Sequence, residues 1–138
     1  LDQVYRPLSV LMATALATIQ SDASLRASAE LMREKRIGSL LTIEAGEIVG
    51  IVTERDLVWK GLAANRDPDG THVSAVMSSP LLHIDVNRTI RDASRAMAEQ
   101  SVRHLAVTES GKIVGVLSIR DLVKMVSIRD RPRFLAKA

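Results

Sequence analysis

GEIVGIVTERDLV, the stretch from Gly46 to Val58, occurs a second time as GKIVGVLSIRDLV, from Gly111 to Val123. The two stretches lie 65 residues apart, and at this offset residues 12–58 align with residues 77–123 without a gap. Of the 47 aligned positions, 16 are identical, which chance does not produce over an ungapped stretch. A repeat of this kind indicates one structural unit used twice. We therefore predict two copies of one fold, here called copy one and copy two.

Each copy has the pattern of a β-α-β-β-α unit. In copy one, Leu16–Ile19 reads as a short strand, and Ser24 precedes apolar residues at helical spacing. Two apolar runs separated by a turn predict a β-hairpin over residues 39–52, and a second helix is predicted from about Thr53 to Leu62. Copy two repeats the pattern, and Thr89 begins a Thr-x-x-Asp capping box at the start of its first helix.

The predicted domain organisation follows from the repeat. Residues 1–62 hold copy one with an N-terminal lead-in, 63–72 form a polar linker, 73–127 hold copy two, and 128–138 form a basic tail. One copy alone would bury too little surface to be stable. We therefore predict an α/β (α+β) fold in which two tandem units pack with pseudo-twofold symmetry, leaving a cleft on each side of the seam for a small ligand.

The composition excludes several classes of protein. There is no cysteine, so disulfides, thiolate nucleophiles and cysteine-type zinc sites are excluded, and a reducing cytoplasm is the expected location. Charges interrupt every apolar stretch, so no membrane span is predicted. The net charge is +3, with much of the basic excess in the predicted tail and no basic stripe with stacking aromatic residues. The sequence therefore does not favour nucleic acid as a partner.

The repeated stretch resembles the signature of the CBS motif, and Val76-Met77-Ser78-Ser79-Pro80 resembles the segment that often leads into one. The resemblance runs from about Val10 to Val126. It implies a CBS-domain pair, or Bateman module, of the stand-alone bacterial or archaeal type. Such pairs are regulatory modules that bind adenosine-containing ligands (AMP, ADP, ATP, S-adenosylmethionine and relatives) between the two motifs, and they commonly associate as homodimers. A non-catalytic energy sensor is implied, with an adenosyl nucleotide as regulatory ligand, no catalytic cofactor, and a regulated protein in trans.

The resemblance assigns the ribose-binding positions to Thr53 with Asp56 in copy one and to Ser118 with Asp121 in copy two. An ionised carboxylate is an acceptor whose two oxygens suit the two hydroxyl donors of a ribose. The alternative is that the same Thr-x-x-Asp spacing only caps a helix, which requires no ligand. Both roles are compatible if the hydroxyl caps the helix while the carboxylate also faces outward.

Further contacts are implied less directly. The resemblance places phosphate contacts at Arg103 and His104, where copy one has the uncharged Gly38 and Ser39. The alternative is that neither side chain binds a ligand, with Arg103 a solvated charge and His104 a half-buried histidine at the start of a strand. Arg55 and Arg120, each one residue before an aspartate, are further candidates for the phosphate or plain surface arginines. The candidates for the base are Thr18, Ile19 and Ile37 in copy one and His83, Ile84 and Val102 in copy two.

Two other function classes compete with a ligand sensor. A structural dimerisation module with vestigial ligand sites stays open, and Trp59, which has Lys124 as its counterpart in copy two, is interpreted as a packing or dimer-contact residue. An enzyme is not predicted, because the sequence has no nucleophile–base pair, no metal-ligand spacing and no phosphate-cradling glycine loop.

Overall fold

The structure, a computed structural model, describes residues 7–8 and 16–129, with side chains described as far as Lys124. The chain divides into two compact units. Unit one is residues 16–81, and unit two is residues 82–129 together with residues 7–8. Most of the predicted basic tail, from residue 130 onward, lies outside the described residues.

Unit one contains a three-stranded sheet in the order β1-β2-β3, with β1 parallel to β2 and β2 antiparallel to β3. Its elements are β1 (Thr18–Gln20), α1 (Leu25–Lys35), β2 (Ser39–Glu44), β3 (Glu47–Thr53), the helical turn α2 (Glu54–Asp56), a π-helix (Leu57–Leu62) and a 3₁₀ turn (Val73–Ala75). The predicted β-α-β-β-α order is confirmed.

Unit two repeats this topology, with the sheet order β4-β5-β6 and the same strand directions. Its elements are β4 (His83–Asp85), α3 (Ile90–Gln100), β5 (His104–Glu109), β6 (Lys112–Ser118) and α4 (Ile119–Arg129). The mixed α/β class is therefore confirmed for both copies. The repetition extends to detail, since β2 and β5 carry a register irregularity at the same position, after Thr42 and after Val107.

The two hairpins turn on equivalent residues. Ala45 and Gly46 have φ values of 51° and 80°, and Ser110 and Gly111 have values of 51° and 79°. A two-residue hairpin turn of this kind needs positive φ at both central positions, and glycine adopts such angles without a steric penalty. The glycine at the second turn position therefore sets the register of both hairpins.

Side-chain caps begin the first helix of each copy. Ser24 Oγ accepts a hydrogen bond from Ala27 N (3.0 Å). Thr89 Oγ1 accepts from Asp92 N (3.1 Å), and Asp92 Oδ2 in turn accepts from Thr89 N (3.0 Å). The predicted capping box at Thr89 is confirmed, and it satisfies two helix-end donors that would otherwise lack partners.

Each unit has its own aliphatic core. In unit one the buried cluster consists of Leu25, Met32, Leu40, Val52, Val73 and Val76. In unit two it consists of Leu8, Val86, Ile90, Ala93, Met97, Leu105, Val107, Leu117 and Leu122. Most members occupy equivalent positions in the repeat, so the apolar pattern that the copies share determines their common fold.

The lead-in segments are exchanged between the copies. Leu8, which precedes copy one, is fully buried in the core of unit two, and its N donates to Arg88 O (2.9 Å). Val73, which precedes copy two and lies 65 residues after Leu8, is fully buried in unit one and donates to Ala23 O (2.8 Å). Each compact unit of the structure therefore combines one copy of the repeat with the lead-in segment that precedes the other copy.

The segment predicted as a linker, residues 63–72, belongs to unit one. Leu25 N donates to Thr71 O (3.1 Å), and Arg26 N donates to Pro68 O (2.9 Å). The Arg26 guanidinium also pairs with both carboxylate oxygens of Asp69. These contacts fix the segment on the N-terminal turn of α1.

Several element boundaries differ from the prediction, and two of them lie in copy one. The first strand spans Thr18–Gln20 rather than Leu16–Ile19, because its pairing with β2 begins at Thr18. The second helix of copy one changes after Asp56 into a π-helix, in which Ala63 N donates to Val58 O (2.8 Å). Gly61 of this π-helix packs closely on Leu25, where a Cβ would lie only 3.1 Å from Cδ1.

Candidate functional site

The Ser118–Asp121 pair of copy two lies where β6 ends and α4 begins. Asp121 Oδ2 accepts from Ser118 N (2.8 Å) and Ser118 Oγ (3.0 Å), and Asp121 N donates to Ser118 Oγ (3.2 Å). Asp121 is half-buried, and within the described residues its carboxylate takes hydrogen bonds from Ser118 alone, all at Oδ2. The hydroxyl therefore caps the helix, while Oδ1 keeps lone pairs for an outside donor.

The Thr53–Asp56 pair of copy one has the same local geometry. Asp56 Oδ2 accepts from Thr53 N (2.9 Å) and Thr53 Oγ1 (3.0 Å), which completes a capping box. Here, however, Lys60 Nζ lies 3.0 Å from Asp56 Oδ1, and Asp56 is only 6% exposed. Both carboxylate oxygens of Asp56 therefore have partners from the chain itself.

The predicted phosphate contacts of copy two lie beside its pair. His104 is the first residue of β5 and is the register partner of Ser118 on β6. Arg103 precedes it with an exposed side chain, and Arg103 O accepts from Ile119 N at the start of α4 (2.8 Å). The sheet thus brings Arg103 and His104 to the same corner as Asp121.

The matching corner of copy one has the opposite charge. Ser39 is the register partner of Thr53, and Gly38 O accepts from Glu54 N (3.0 Å). The Glu54 side chain folds back over Gly38, so that a Cβ at Gly38 would clash with its carboxylate. Copy one therefore has a carboxylate against position 38, and the residue at the equivalent position of copy two is Arg103.

The two helix arginines lie in exposed positions. The Arg55 guanidinium lies over the Trp59 ring, 4.4 Å from its centroid, in a cation–π contact. Arg120 has the equivalent position in α4. The residue of copy two that corresponds to Trp59 is Lys124, which has no aromatic ring. Contact of either arginine with a phosphate stays a prediction.

The residues predicted to contact a base lie on or just before the strands. Thr18 is half-buried on β1, and His83 is exposed on β4. The four aliphatic candidates, in contrast, pack against the cores of their own units; they are Ile19, Ile37, Ile84 and Val102. Their packing accounts for the residue types without a ligand, so a role at the base also stays a prediction.

Lys60 and Glu54 are the residues of this region that the sequence analysis did not identify. The signal for Lys60 was available, because Asp56 and Lys60 are four residues apart on a predicted helix, where opposite charges meet. The signal for Glu54 was the glycine at position 38, whose missing side chain leaves room for the carboxylate.

Other kinds of site are not found in the part of the chain that the structure describes. Residues 7–8 and 16–129 contain no group of three or more His, Cys, Asp or Glu side chains placed to hold a metal ion. Within the same residues, no helix has both the length and the apolar composition needed to cross a membrane.

Comparison with known proteins gives one consistent result. The family profile described as CBS domain matches the chain twice, at residues 8–61 and 73–128. The chain is 32% identical over 111 residues to the CBS domain-containing protein YhcV of Bacillus subtilis, covering 80% of this chain and 79% of that protein.

Solved structures agree with the sequence comparison. The fold matches that of a conserved protein of Pyrococcus horikoshii with a TM-score of 0.84 and 29% identity, covering 96% of this chain and 98% of the other. It also matches a CBS-domain containing protein of Agrobacterium tumefaciens with a TM-score of 0.82 and 28% identity, covering 91% and 98%.

Proposed function

The chain belongs to the CBS-domain family, and we propose that it is a non-catalytic sensor that binds an adenosyl nucleotide at the Ser118–Asp121 pair. CBS-domain pairs are generally regulatory and ligand-binding modules. Within that general role, we propose that the ligand is AMP, ADP, ATP or S-adenosylmethionine and that copy two binds it. Its output is proposed to act on another polypeptide, in the cytoplasm, where such nucleotides are made and consumed.

One observation carries the proposal: within the described residues only Ser118 hydrogen-bonds the Asp121 carboxylate, at Oδ2, and the backbone of Arg103 meets the start of the same helix through Ile119 N. The carboxylate is held by Ser118 through Oδ2, so it is oriented before any ligand arrives. A ribose hydroxyl donating to an ionised carboxylate makes a charge-assisted hydrogen bond. The first turn of α4 also favours negative charge on Asp121 through the helix dipole.

The neighbouring cation supports a nucleotide rather than a free sugar. Arg103 is exposed and lies on the segment that enters β5, beside the capped start of α4. A guanidinium has five donors in a planar arrangement that matches phosphate oxygens. The carboxylate and the guanidinium together suit a ligand with hydroxyl donors at one end and an anionic group at the other.

A thermal-shift panel with AMP, ADP, ATP and S-adenosylmethionine tests the proposal, with GMP as the control for the base. A ligand at a hundredfold excess over its dissociation constant stabilises the native state by about 2.7 kcal/mol. We expect at least one adenosyl compound to raise the melting temperature of the wild-type chain, and Asp121→Ala to abolish that rise. A flat response to the whole panel contradicts the proposal.

The second candidate function is a structural dimerisation module. It is favoured by large apolar side chains that are exposed on the closing helices of both copies, namely Val58, Trp59, Leu62, Ile119 and Val123. In this alternative the capping boxes only stabilise helix ends. Sedimentation of the wild-type chain and of Leu62→Glu measures the oligomeric state. A dimer that dissociates in the variant, together with a flat ligand panel, would favour this candidate over the sensor.

A further inference from the structure

Lys60 distinguishes the two copies at the aspartate itself. Its Nζ lies 3.0 Å from Asp56 Oδ1 and 3.3 Å from Val76 O, so the ammonium links the carboxylate to the backbone of the exchanged lead-in. The position 65 residues later holds Met125, a residue type with no proton donor in its side chain. The difference therefore lies at one side chain, one helical turn after an aspartate that both copies share.

The position of Lys60 has a consequence for ligand binding. Asp56 is 6% exposed and already has Thr53 on Oδ2 and Lys60 on Oδ1. A ribose hydroxyl that approached Asp56 would have to displace a charge-assisted bond and leave the ammonium to find another partner. At Asp121 no cation among the described residues pairs with the carboxylate, so the same hydroxyl has no such bond to displace there.

We propose that Lys60 occupies the ribose position of copy one, so that the chain binds one adenosyl ligand, at Asp121, and keeps copy one closed. This inference rests on the proposed function, since it assigns the role of each copy within it. Lys60 acts through Asp56 and is therefore a positioning residue. The Lys60 ammonium pairs with Asp56 Oδ1, the carboxylate oxygen that a ribose hydroxyl would otherwise contact.

The charge around copy one acts in the same direction. The Glu54 carboxylate lies against Gly38, at the corner equivalent to that of Arg103. A phosphate at that corner would meet a like charge, which raises the free energy of the bound state. Lys60 thus excludes the sugar, and Glu54 disfavours the phosphate.

Isothermal titration of the full chain with AMP tests the inference through the number of ligands bound per chain. The wild type is expected to bind one AMP. Lys60→Met, which places the residue of copy two at this position, is expected to bind two. The affinity of copy one should rise about tenfold, equivalent to about 1.4 kcal/mol, because AMP no longer competes with the ammonium.

Four further variants test whether the number of bound AMP molecules depends on Lys60 and Asp121 specifically. Lys35→Met removes the same charge from an exposed position at the end of α1, without contact to Asp56 in the described structure, and should still bind one AMP. Lys60→Met combined with Asp121→Ala should bind one AMP, at Asp56, whereas Asp121→Ala alone should bind AMP about 100-fold more weakly than the wild type. Lys60→Ala serves as a second opening variant if the methionine disturbs the fold, which circular dichroism reports.

The possible results separate the inference from the proposed function. If neither the wild type nor any variant binds AMP or another adenosyl compound, the proposed function fails. If the wild type binds two AMP, or folded Lys60→Met and Lys60→Ala both stay at one, the inference alone fails. If Lys60→Met weakens binding, Lys60 contacts the ligand directly, and the closing role is also overturned.

Discussion

The two copies of the repeat share a fold but differ at the residues that we propose contact a ligand. They have the same hairpin turns, the same irregularity in the middle strand and the same exchanged lead-in. At the aspartate they differ: Asp56 pairs with Lys60, whereas the described residues offer Asp121 no cation at its outer oxygen. Apolar and turn positions therefore preserve the fold, and we propose that a few polar positions decide whether a copy can bind a ligand.

The difference extends to the charge at the corner of each sheet. Copy one has Gly38 covered by the Glu54 carboxylate, and copy two has Arg103 next to Ile119. Each of these exchanges leaves the strand pairing intact, since Ser39 and His104 have equivalent register partners. In our proposal, duplication has thus produced one copy suited to an anionic ligand and one copy in which Lys60 and Glu54 disfavour such a ligand.

The largest effect on stability is expected from the exchanged lead-in. Leu8→Ala should lower the free energy of unfolding by about 2–5 kcal/mol, because it leaves a cavity in the core of unit two. Val73→Ala, the equivalent change in unit one, removes less volume and should cost about 2 kcal/mol. Urea unfolding followed by circular dichroism measures both.

Leu82→Ala is the control for Leu8, because Leu82 is 42% exposed and its truncation should cost less than about 1 kcal/mol. If Leu8→Ala unfolds at the same urea concentration as Leu82→Ala, the lead-in does not contribute to the core of unit two. The exchange between copies would then be refuted.

The next largest effect is expected on ligand affinity. Asp121→Ala should weaken AMP binding about 100-fold, because two charge-assisted hydrogen bonds to the ribose are lost, at roughly 1.4 kcal/mol for each tenfold change. Asp56→Ala should change the affinity less than about threefold, since copy one is closed by Lys60. Titration calorimetry at one salt concentration compares the two. Equal losses would contradict the assignment of the site to copy two.

The smallest effect is expected at the first helix of copy two, which has a carboxylate in its capping box where copy one has Ala27. The pKa of Asp92 lies below its ordinary value, mainly because the backbone N–H of Thr89 donates a hydrogen bond to the carboxylate. The Thr89 hydroxyl and the cations Arg88 and Arg95 lower the pKa further. A carboxyl whose pKa is lower in the folded state stabilises the fold above its unfolded pKa of roughly 3.9. That contribution is lost as the pH falls through the folded pKa.

Asp92→Asn should therefore unfold at a lower urea concentration than the wild type at pH 7, and the two proteins should converge as the pH falls below 4. Denaturation curves collected from pH 7 to pH 2 measure the convergence. A difference that stays constant over this range would show that the charge of Asp92 contributes nothing to the cap.

The repeat made most of the fold predictable. Element order, the hairpins and the Thr89 capping box follow from local patterns, since apolar spacing and turn residues act over a few positions. The exchange of Leu8 and Val73 was not predictable, because local sequence does not state which copy a lead-in packs against. The π-helix after Asp56 includes Gly61, which packs closely on Leu25 in a tertiary contact that local sequence does not specify.

The candidate site was predictable in its residues and in the charge difference between Arg103 and Gly38, but not in the pairing of Lys60 with Asp56. Thr53, Asp56, Ser118 and Asp121 were identified from the resemblance, and the capping role weighed beside it is present in both copies. The closure of copy one depends on the direction that one lysine side chain takes. An exposed lysine has many rotamers of similar energy, so only the three-dimensional surroundings select the contact with Asp56.

A crystal structure of the full chain with bound AMP tests the central claim most directly. The account predicts one AMP per chain, with its ribose hydroxyls on Asp121 Oδ1, while Lys60 Nζ stays within hydrogen-bond distance of Asp56. A ribose held by Asp56 with Lys60 displaced, or an AMP that contacts neither aspartate, would contradict it.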